Sequence, residues 1–291
     1  MGWLGKMLEL YEEDAKMAIN SSVVTNPSAL VALQNLNKIT KTLATAQNRV
    51  STGLKVSGAM DDASSYAIAQ GIRGELKAIA AVTQGLDNAK GVGKVALAGT
   101  TSVSNLLADI RSKLTELSSA GVTTAQRALL EADFNSLLSQ AGGFISNAIF
   151  NGMNLINGDT SSITVLSNLT GGTLTVGAAY NLSTDAESLA AVSVGTASSS
   201  AVVITGEFTT LETSVNTALG GLGADVNALN FQTSFLAAIS DATEEGLGNI
   251  VDADMAREAA RLTALQVQQQ LAVQTLGIVN QAPVTLLSLF R

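Results

Sequence analysis

The sequence predicts a mainly α fold, a long antiparallel helical bundle in which the two ends of the chain pair as a coiled coil, with a small β-rich insertion between the helices. Three observations predict it. The two prolines, Pro27 and Pro283, lie near the ends, so the roughly 250 residues between them can run as long helices without a proline break. Apolar residues recur at heptad spacing near both ends of the chain. Between Asn157 and Gly206 the composition shifts to Ser, Thr and Gly, with apolar residues alternating instead.

The first helix is expected over residues 28–50. Ala29, Leu36, Leu43 and Val50 form one seam position, and Ala32, Ile39 and Ala46 form the other. Asn26 and Pro27 suit the cap and the first helical position. Gly53 and Gly58 bracket a loop. A second helix is expected over about residues 61–98, with the carboxylates of Asp61 and Asp62 favoured at its positive N-terminal end. A third, over about residues 102–120, carries Val103, Leu106, Leu107, Ile110, Leu114 and Leu117 on one face. A fourth starts near Thr124, includes Leu129, Leu130, Phe134, Leu137 and Leu138, and ends around Phe150-Asn151-Gly152.

In the insertion, Ile163, Val165, Ser167 and Leu169 alternate, and Leu174 and Val176 follow Gly171-Gly172, the pattern of a hairpin. Residues 190–205 are expected to add one or two strands. Helix resumes near Thr209, with breaks expected at Gly220-Gly221-Leu222-Gly223 and at Gly246 and Gly248. A final helix runs from Asp252 to Phe290. Leu265, Ala272, Val279 and Leu286 form one of its seams, and Leu262, Gln269 and Leu276 the other.

Charge is the most telling property of the ends. Residues 262–290 contain no charged side chain, and neither do residues 18–37. If fully helical, the first of these tracts alone is roughly 44 Å long. Leu271, Val273 and Ile278 lie off its seam, so the helix is apolar on several sides. Such a helix is buried on several sides. One partner helix cannot supply that, and neighbouring copies of the chain are expected to do so. Gln266, Gln268, Gln269, Gln270, Gln274, Asn280 and Gln281 can pair with one another in such an interface, but are too many to leave bare in hydrocarbon.

Composition narrows the function classes. The net charge is −8 and no long Lys/Arg cluster occurs, which argues against a nucleic-acid surface. Cys and His are absent, which removes disulfides, imidazole or thiolate metal sites, Cys nucleophiles and His-based acid–base catalysis. Asp61, Asp62, Asp252 and Asp254 read as helix-start residues, because no calcium-loop pattern surrounds them. Gly91-Val92-Gly93 lacks both the third glycine and the preceding strand of a phosphate loop. The hydroxyl-rich insertion has no base to activate a nucleophile. No catalytic residue, metal or cofactor is assigned, and an enzyme is not expected. The lack of Lys and Arg on the final tract disfavours a membrane-surface helix. Residues 1–16 do not read as a Sec-type signal peptide, because Glu9, Glu12, Glu13 and Asp14 are mixed among Trp3, Leu4, Leu8 and Tyr11. Asn20, Asn168 and Asn181 match the N-glycosylation pattern, which arises easily in a Ser/Thr-rich chain.

Several motifs resemble one family. Arg49-Val-Ser-Thr-Gly-Leu-Lys55, with Asp61-Asp62-Ala63 and Ala67-Ile68-Ala69, is similar to the N-terminal signature of bacterial flagellins. Phe150-Asn151-Gly152 with Leu155 and Gly158 resembles the family's FNG turn. The stretch from Ile250 through Asp252-Ala-Asp254 to Leu286-Leu-Ser-Leu-Phe-Arg291 resembles the flagellin C-terminus. The resemblance covers about residues 18–158 and 209–291, and its short insertion and ending are similar to the compact alphaproteobacterial type.

The resemblance implies a filament subunit, a self-assembling helical homopolymer, secreted to the extracellular flagellum through the type III export apparatus with an export chaperone. Hook-associated and cap proteins are implied as further partners, and a hook–filament junction protein is the alternative reading. It also implies four parts: a terminal coiled-coil domain of residues 17–58 with 252–291, a helical bundle of 59–156 with 207–251, the insertion 157–206, and an N-terminal extension 1–16. Family members usually begin at a position like Met17-Ala18-Ile19-Asn20, so residues 1–16 are expected to come from a start assigned too far upstream or from added sequence. The self-assembly interface is assigned to Leu36, Ile39, Leu43, Val50, Leu262, Leu265, Gln269, Leu276, Val279 and Leu286. In the segment Arg111-Ser-Lys113-Leu-Thr115-Glu116-Leu117, the residues Lys113, Glu116 and Leu117 correspond to the family's innate-immune-receptor motif. Thr115 stands where a basic residue is expected, so weak receptor contact is implied.

Overall fold

The computed structural model describes the backbone of residues 25–288 and the side chains of residues 25–281. Long helices dominate, joined by one small two-stranded sheet. In chain order the elements are α1 (Pro27–Thr52), α2 (Ala63–Leu117), α3 (Thr124–Asn147), β1 (Ile163–Leu166), β2 (Thr173–Val176), α4 (Leu182–Ala190), α5 (Ala197–Thr205), α6 (Glu207–Val251) and α7 (Met255–Ser288). Among the described residues, no helix is long and apolar enough to cross a membrane. The chain divides into two compact units, residues 1–71 with 245–291, and residues 72–244.

In the first unit α1 starts as its sequence dictates. The Asn26 side chain accepts a hydrogen bond from the Ala29 N–H, and Pro27, which has no N–H to leave unsatisfied, follows it. Gly53, in the left-handed region at φ 74°, ends the helix by donating its N–H to the Arg49 carbonyl. The loop that follows is tied to the α6–α7 connection. Lys55 donates to the Val251 carbonyl at 2.7 Å, and Ala253 donates to the Gly53 carbonyl at 2.9 Å. Asp254 then caps α7 by accepting from the Arg257 N–H. Asp62 caps α2 in the same way, taking the N–H groups of Ser64 and Ser65, while Asp61 holds the Ser57 N–H and hydroxyl.

The second unit holds the main core. Leu86, Ile110 and Leu114 of α2, Phe134 and Ile145 of α3, and Phe208, Leu211 and Leu222 of α6 are among its buried side chains. Leu155 and Ile156, after the Phe150-Asn151-Gly152 turn, are fully buried in the same cluster. In the insertion β1 and β2 pair antiparallel, with Ile163 opposite Val176 and Val165 opposite Leu174. These four apolar side chains alternate with threonines and leucine and pack on the core.

Three expectations are corrected. Residues 190–205 do not add strands; α4 ends at Ala190, a turn follows, and α5 takes up Ala197–Thr205. Asn181 caps α4, and Thr196 with Ser199 forms a capping box for α5, so local hydrogen bonding favours helix over a Ser/Ala-rich strand. The second and third expected helices are one helix of 55 residues, α2, which passes through Gly99-Thr100-Thr101 without a break. Likewise α6 runs unbroken through Gly220–Gly223 and through Gly246 and Gly248. Tertiary packing overrides the roughly 1 kcal/mol propensity penalty of each glycine.

Candidate assembly surface

Helices α1 and α7 run antiparallel and share one narrow seam. Leu43 and Ala46 are buried against Leu265, and Ile39 and Leu262 pack on them. Polar contacts extend the seam at both ends. The Asn26 side-chain amide donates to the Val279 carbonyl at 3.1 Å, and the Gln269 amide donates to the Thr40 hydroxyl at 3.4 Å. Near the loop end, Arg49 Nη1 lies 3.0 Å from Glu258 Oε1, and Arg261 Nη1 lies 3.8 Å from the same oxygen. Glu258 is 8 % exposed. A buried ion pair adds little net stability, but removing one partner leaves an uncompensated buried charge.

The expected interface residues sit on this intrachain seam. Leu43 and Leu265 are buried, and Leu36, Ile39, Val50, Leu262, Gln269, Leu276 and Val279 are half-buried. The Leu286 side chain lies outside the described residues. The seam is thus used within one chain, and both helices also expose apolar side chains that lie off it. On α7, Val267, Leu271 and Ile278 lie at i, i+4 and i+11, on the side turned away from the seam, and are 51 %, 55 % and 70 % exposed. Val273 is exposed on a flank. On α1, Leu30, Val31 and Leu33 are exposed as well. Interspersed Gln266, Gln270 and Gln274 are also open to solvent, and no charge interrupts the stripe.

The three residues matched to the receptor motif lie at the C-terminal end of α2, in the second unit. Lys113 is paired with Glu116 at 3.3 Å and lies 3.9 Å from Asp133. Leu117 is fully buried in the core, and its carbonyl accepts from Arg127 Nη1, so its side chain presents nothing outward. Gly91 and Gly93 lie inside α2. A Cβ on Gly91 would meet the Phe150 ring at 2.9 Å, and one on Gly93 would meet Val226 at 3.0 Å. These glycines allow close packing within the unit and form no ligand loop. Among the described residues, no cluster of three or more acidic side chains is arranged to hold a metal.

Sequence reasoning missed the Arg49–Glu258 pair. The signal was available. Glu258 lies seven residues before Leu265, on the seam itself, and Arg49 adjoins the seam residue Val50, so the heptad register brings the two together.

Comparisons with known proteins agree over nearly the whole chain. Residues 23–161 match the model of the bacterial flagellin N-terminal helical region, and residues 206–290 match that of the C-terminal helical region. A flagellin of Brucella melitensis is 37 % identical over 293 residues, covering 93 % of this chain and 99 % of the relative. Flagellin FljM of Caulobacter vibrioides is 37 % identical over 276 residues, covering 94 % of this chain and all of the relative. A solved structure described as a flagellar hook-associated protein of Vibrio parahaemolyticus shares the fold at a TM-score of 0.56 and 14 % identity, covering 66 % of this chain and all of that one.

Proposed function

The chain belongs to the bacterial flagellin family and is a structural subunit of the flagellar filament, and we propose from that premise that copies associate through the apolar stripe of the terminal helix pair. One observation carries this reading. The pair satisfies its seam internally, yet leaves Leu30, Val31, Leu33, Val267, Leu271 and Ile278 uncovered on two helices that carry few charges. Burying apolar area contributes roughly 25 cal/mol per Å², so a stripe repeated on each of many subunits becomes a strong lateral attraction. The seam residues Leu36, Ile39, Leu43, Val50, Leu262, Leu265, Gln269, Leu276 and Val279 then act by building the pair that displays the stripe.

The finer assignments form part of the same reading. Residues 17–58 with 252–291 make the assembling part, 59–156 with 207–251 the supporting bundle, and 157–206 the insertion. The subunit is exported by the flagellar type III apparatus with a chaperone, ends in the extracellular filament, meets hook-associated and cap proteins at the filament ends, and catalyses no reaction. A hook–filament junction role is supported less well. The relatives named flagellin match over almost their whole length at 37 % identity, whereas the likeness to the hook-associated protein is one of fold alone. Contact with the innate immune receptor is weak, because Leu117 is buried and Lys113 is already paired. Reporter-cell activation comparable to that by an enterobacterial flagellin contradicts this last point.

Deletion of residues 262–291 tests the assembling role. The truncated chain is expected to remain a helical monomer and to form no filaments under conditions that polymerise the full chain. Filaments of normal length from the truncated chain refute it.

A further inference from the structure

Charge is distributed very unevenly along this chain. Helices α1 and α7 carry Lys38, Lys41, Arg49, Arg257 and Arg261 against Glu258 alone, a net charge of +4 (five cations less one anion) within a chain of −8. Residues 53–254 carry eight basic and nineteen acidic side chains, a net −11. The pair that assembles is therefore cationic, and the segment between its two helices is strongly anionic.

Three of the five cations line one cleft of about 220 Å³ on the pair, formed by Lys41, Arg49 and Arg261 with Thr42, Thr45 and Glu258. Glu258 is a single carboxylate among three cations. It is held by Arg49 and, at longer range, by Arg261. The buried Nε of Arg49 and the buried Oε2 of Glu258 each lack a hydrogen-bond partner, and Lys41 has no ion-pair partner within 4 Å among the described residues. The cleft thus sets three cations against one carboxylate and keeps a surplus of positive charge.

A matching anion is present elsewhere on α6. Asp241, Glu244 and Glu245 are exposed and have no hydrogen bond or ion pair among the described residues. We propose that the Lys41–Arg49–Arg261 cleft takes a carboxylate of this acidic segment from a second copy of the chain, as an electrostatic latch between neighbouring subunits. This rests on the reading of the terminal pair as the assembly surface. The apolar stripe supplies non-directional attraction. The latch selects orientation and register, because charge complementarity governs encounter and specificity more than total affinity.

Seeded elongation followed by light scattering tests the latch. Circular dichroism of each monomer confirms that it is folded. Lys41→Gln with Arg261→Gln leaves the Arg49–Glu258 pair in place. At low salt this variant is expected to elongate about tenfold more slowly, as loss of steering charges predicts. The wild-type rate should fall as NaCl rises from about 0.01 M to about 0.15 M, where the Debye length shrinks from roughly 30 Å to roughly 8 Å, and the variant's rate should not. Lys41→Glu alone, and Asp241→Lys with Glu244→Lys and Glu245→Lys, should each slow elongation, and combining these reversals in one chain should restore it. Wild-type rate and salt dependence in the neutralised variant overturn the latch, as does a combined chain that elongates no faster than its two parents. The reading beneath it fails by a different result, namely filaments from a chain with charges placed in the apolar stripe.

Discussion

At the scale of single residues, backbone conformation and close approach account for positions that composition alone leaves unexplained. Asn151 and Gly152 have φ 50° and 77°, and Phe150 and Met153 exchange both backbone hydrogen bonds around them. A two-residue turn of this type needs two left-handed residues, which Asn-Gly supplies with least strain. Gly99 is constrained differently. A Cβ there would lie 2.8 Å from that of Ala148 and 3.2 Å from Ile156. Gly99→Val is therefore expected to destabilise the second unit by about 1–3 kcal/mol, the range for overpacking a close contact. Urea unfolding checks this, and an unchanged midpoint contradicts it. Asp61 and Asp62 have their carboxyl pKa values lowered, the first mainly by the Ser57 hydroxyl and the second mainly by the Ser65 hydroxyl, with backbone N–H groups adding to both. A group with a depressed folded pKa stabilises above its unfolded value and loses that stabilisation as pH falls through the folded one. The contribution is thus complete above about pH 4 and disappears below it. Asp61→Asn with Asp62→Asn should lower the melting temperature at neutral pH and flatten its fall on acidification. Parallel melting curves for the two proteins refute this.

At the scale of elements, long periodic segments were legible in the sequence and short ones were not. The heptads of α1 and α7, the Asn26-Pro27 start and the Gly171-Gly172 hairpin followed from spacing and local chemistry. The hairpin turn depends on a residue that the alternation did not single out. Asn168 Oδ1 accepts from the Thr170 and Gly172 N–H groups, so β1 ends at Leu166 and Leu169 belongs to the turn. A break between about residues 98 and 102 and one at Gly220–Gly223 were expected, yet both stretches lie within helices. At Gly99 and Gly221 a neighbouring element packs directly against the helix. Tyr180 lies so close to Gly221 that an added Cβ would overlap its hydroxyl. Gly221→Ala must displace that ring, and it should destabilise the protein although alanine is the better helix former. A raised melting temperature in this variant contradicts the packing role. The Tyr180 phenol has its pKa raised, first by burial and then by Asp225. Its ionisation is therefore confined to strongly alkaline pH. Of the candidate site, the location on the terminal helices was legible, because uncharged apolar tracts are visible in the sequence. Which residues face inward was not. Seam residues and stripe residues have the same composition, and the pairing alone separates Leu265 from Leu271.

At the scale of the whole molecule, the described residues form one broad core and leave one face of the helices α1 and α7 incompletely buried. The second unit has a broad core drawn from α2, α3, α6 and the insertion. In the first unit, the α1–α7 pair buries only Leu43, Ala46 and Leu265 among the described residues of its own cluster. Isolated pairs with so narrow a seam gain little stability, and in the proposed assembly copies that cover the remaining apolar face would supply the rest. The pair is expected to become more protected from hydrogen exchange on polymerisation, with the largest change in residues 267–281. If the outward stripe holds subunits together, Leu271→Glu with Ile278→Glu disrupts that contact alone, because both side chains are exposed and neither lies on the seam. The measurement is electron microscopy with sedimentation of the full-length double variant beside the unmodified chain. The double variant is expected to be a monomer of unchanged helicity that forms no filaments, while ordinary filaments assembled at the unmodified chain's concentration would rule out the stripe as the contact.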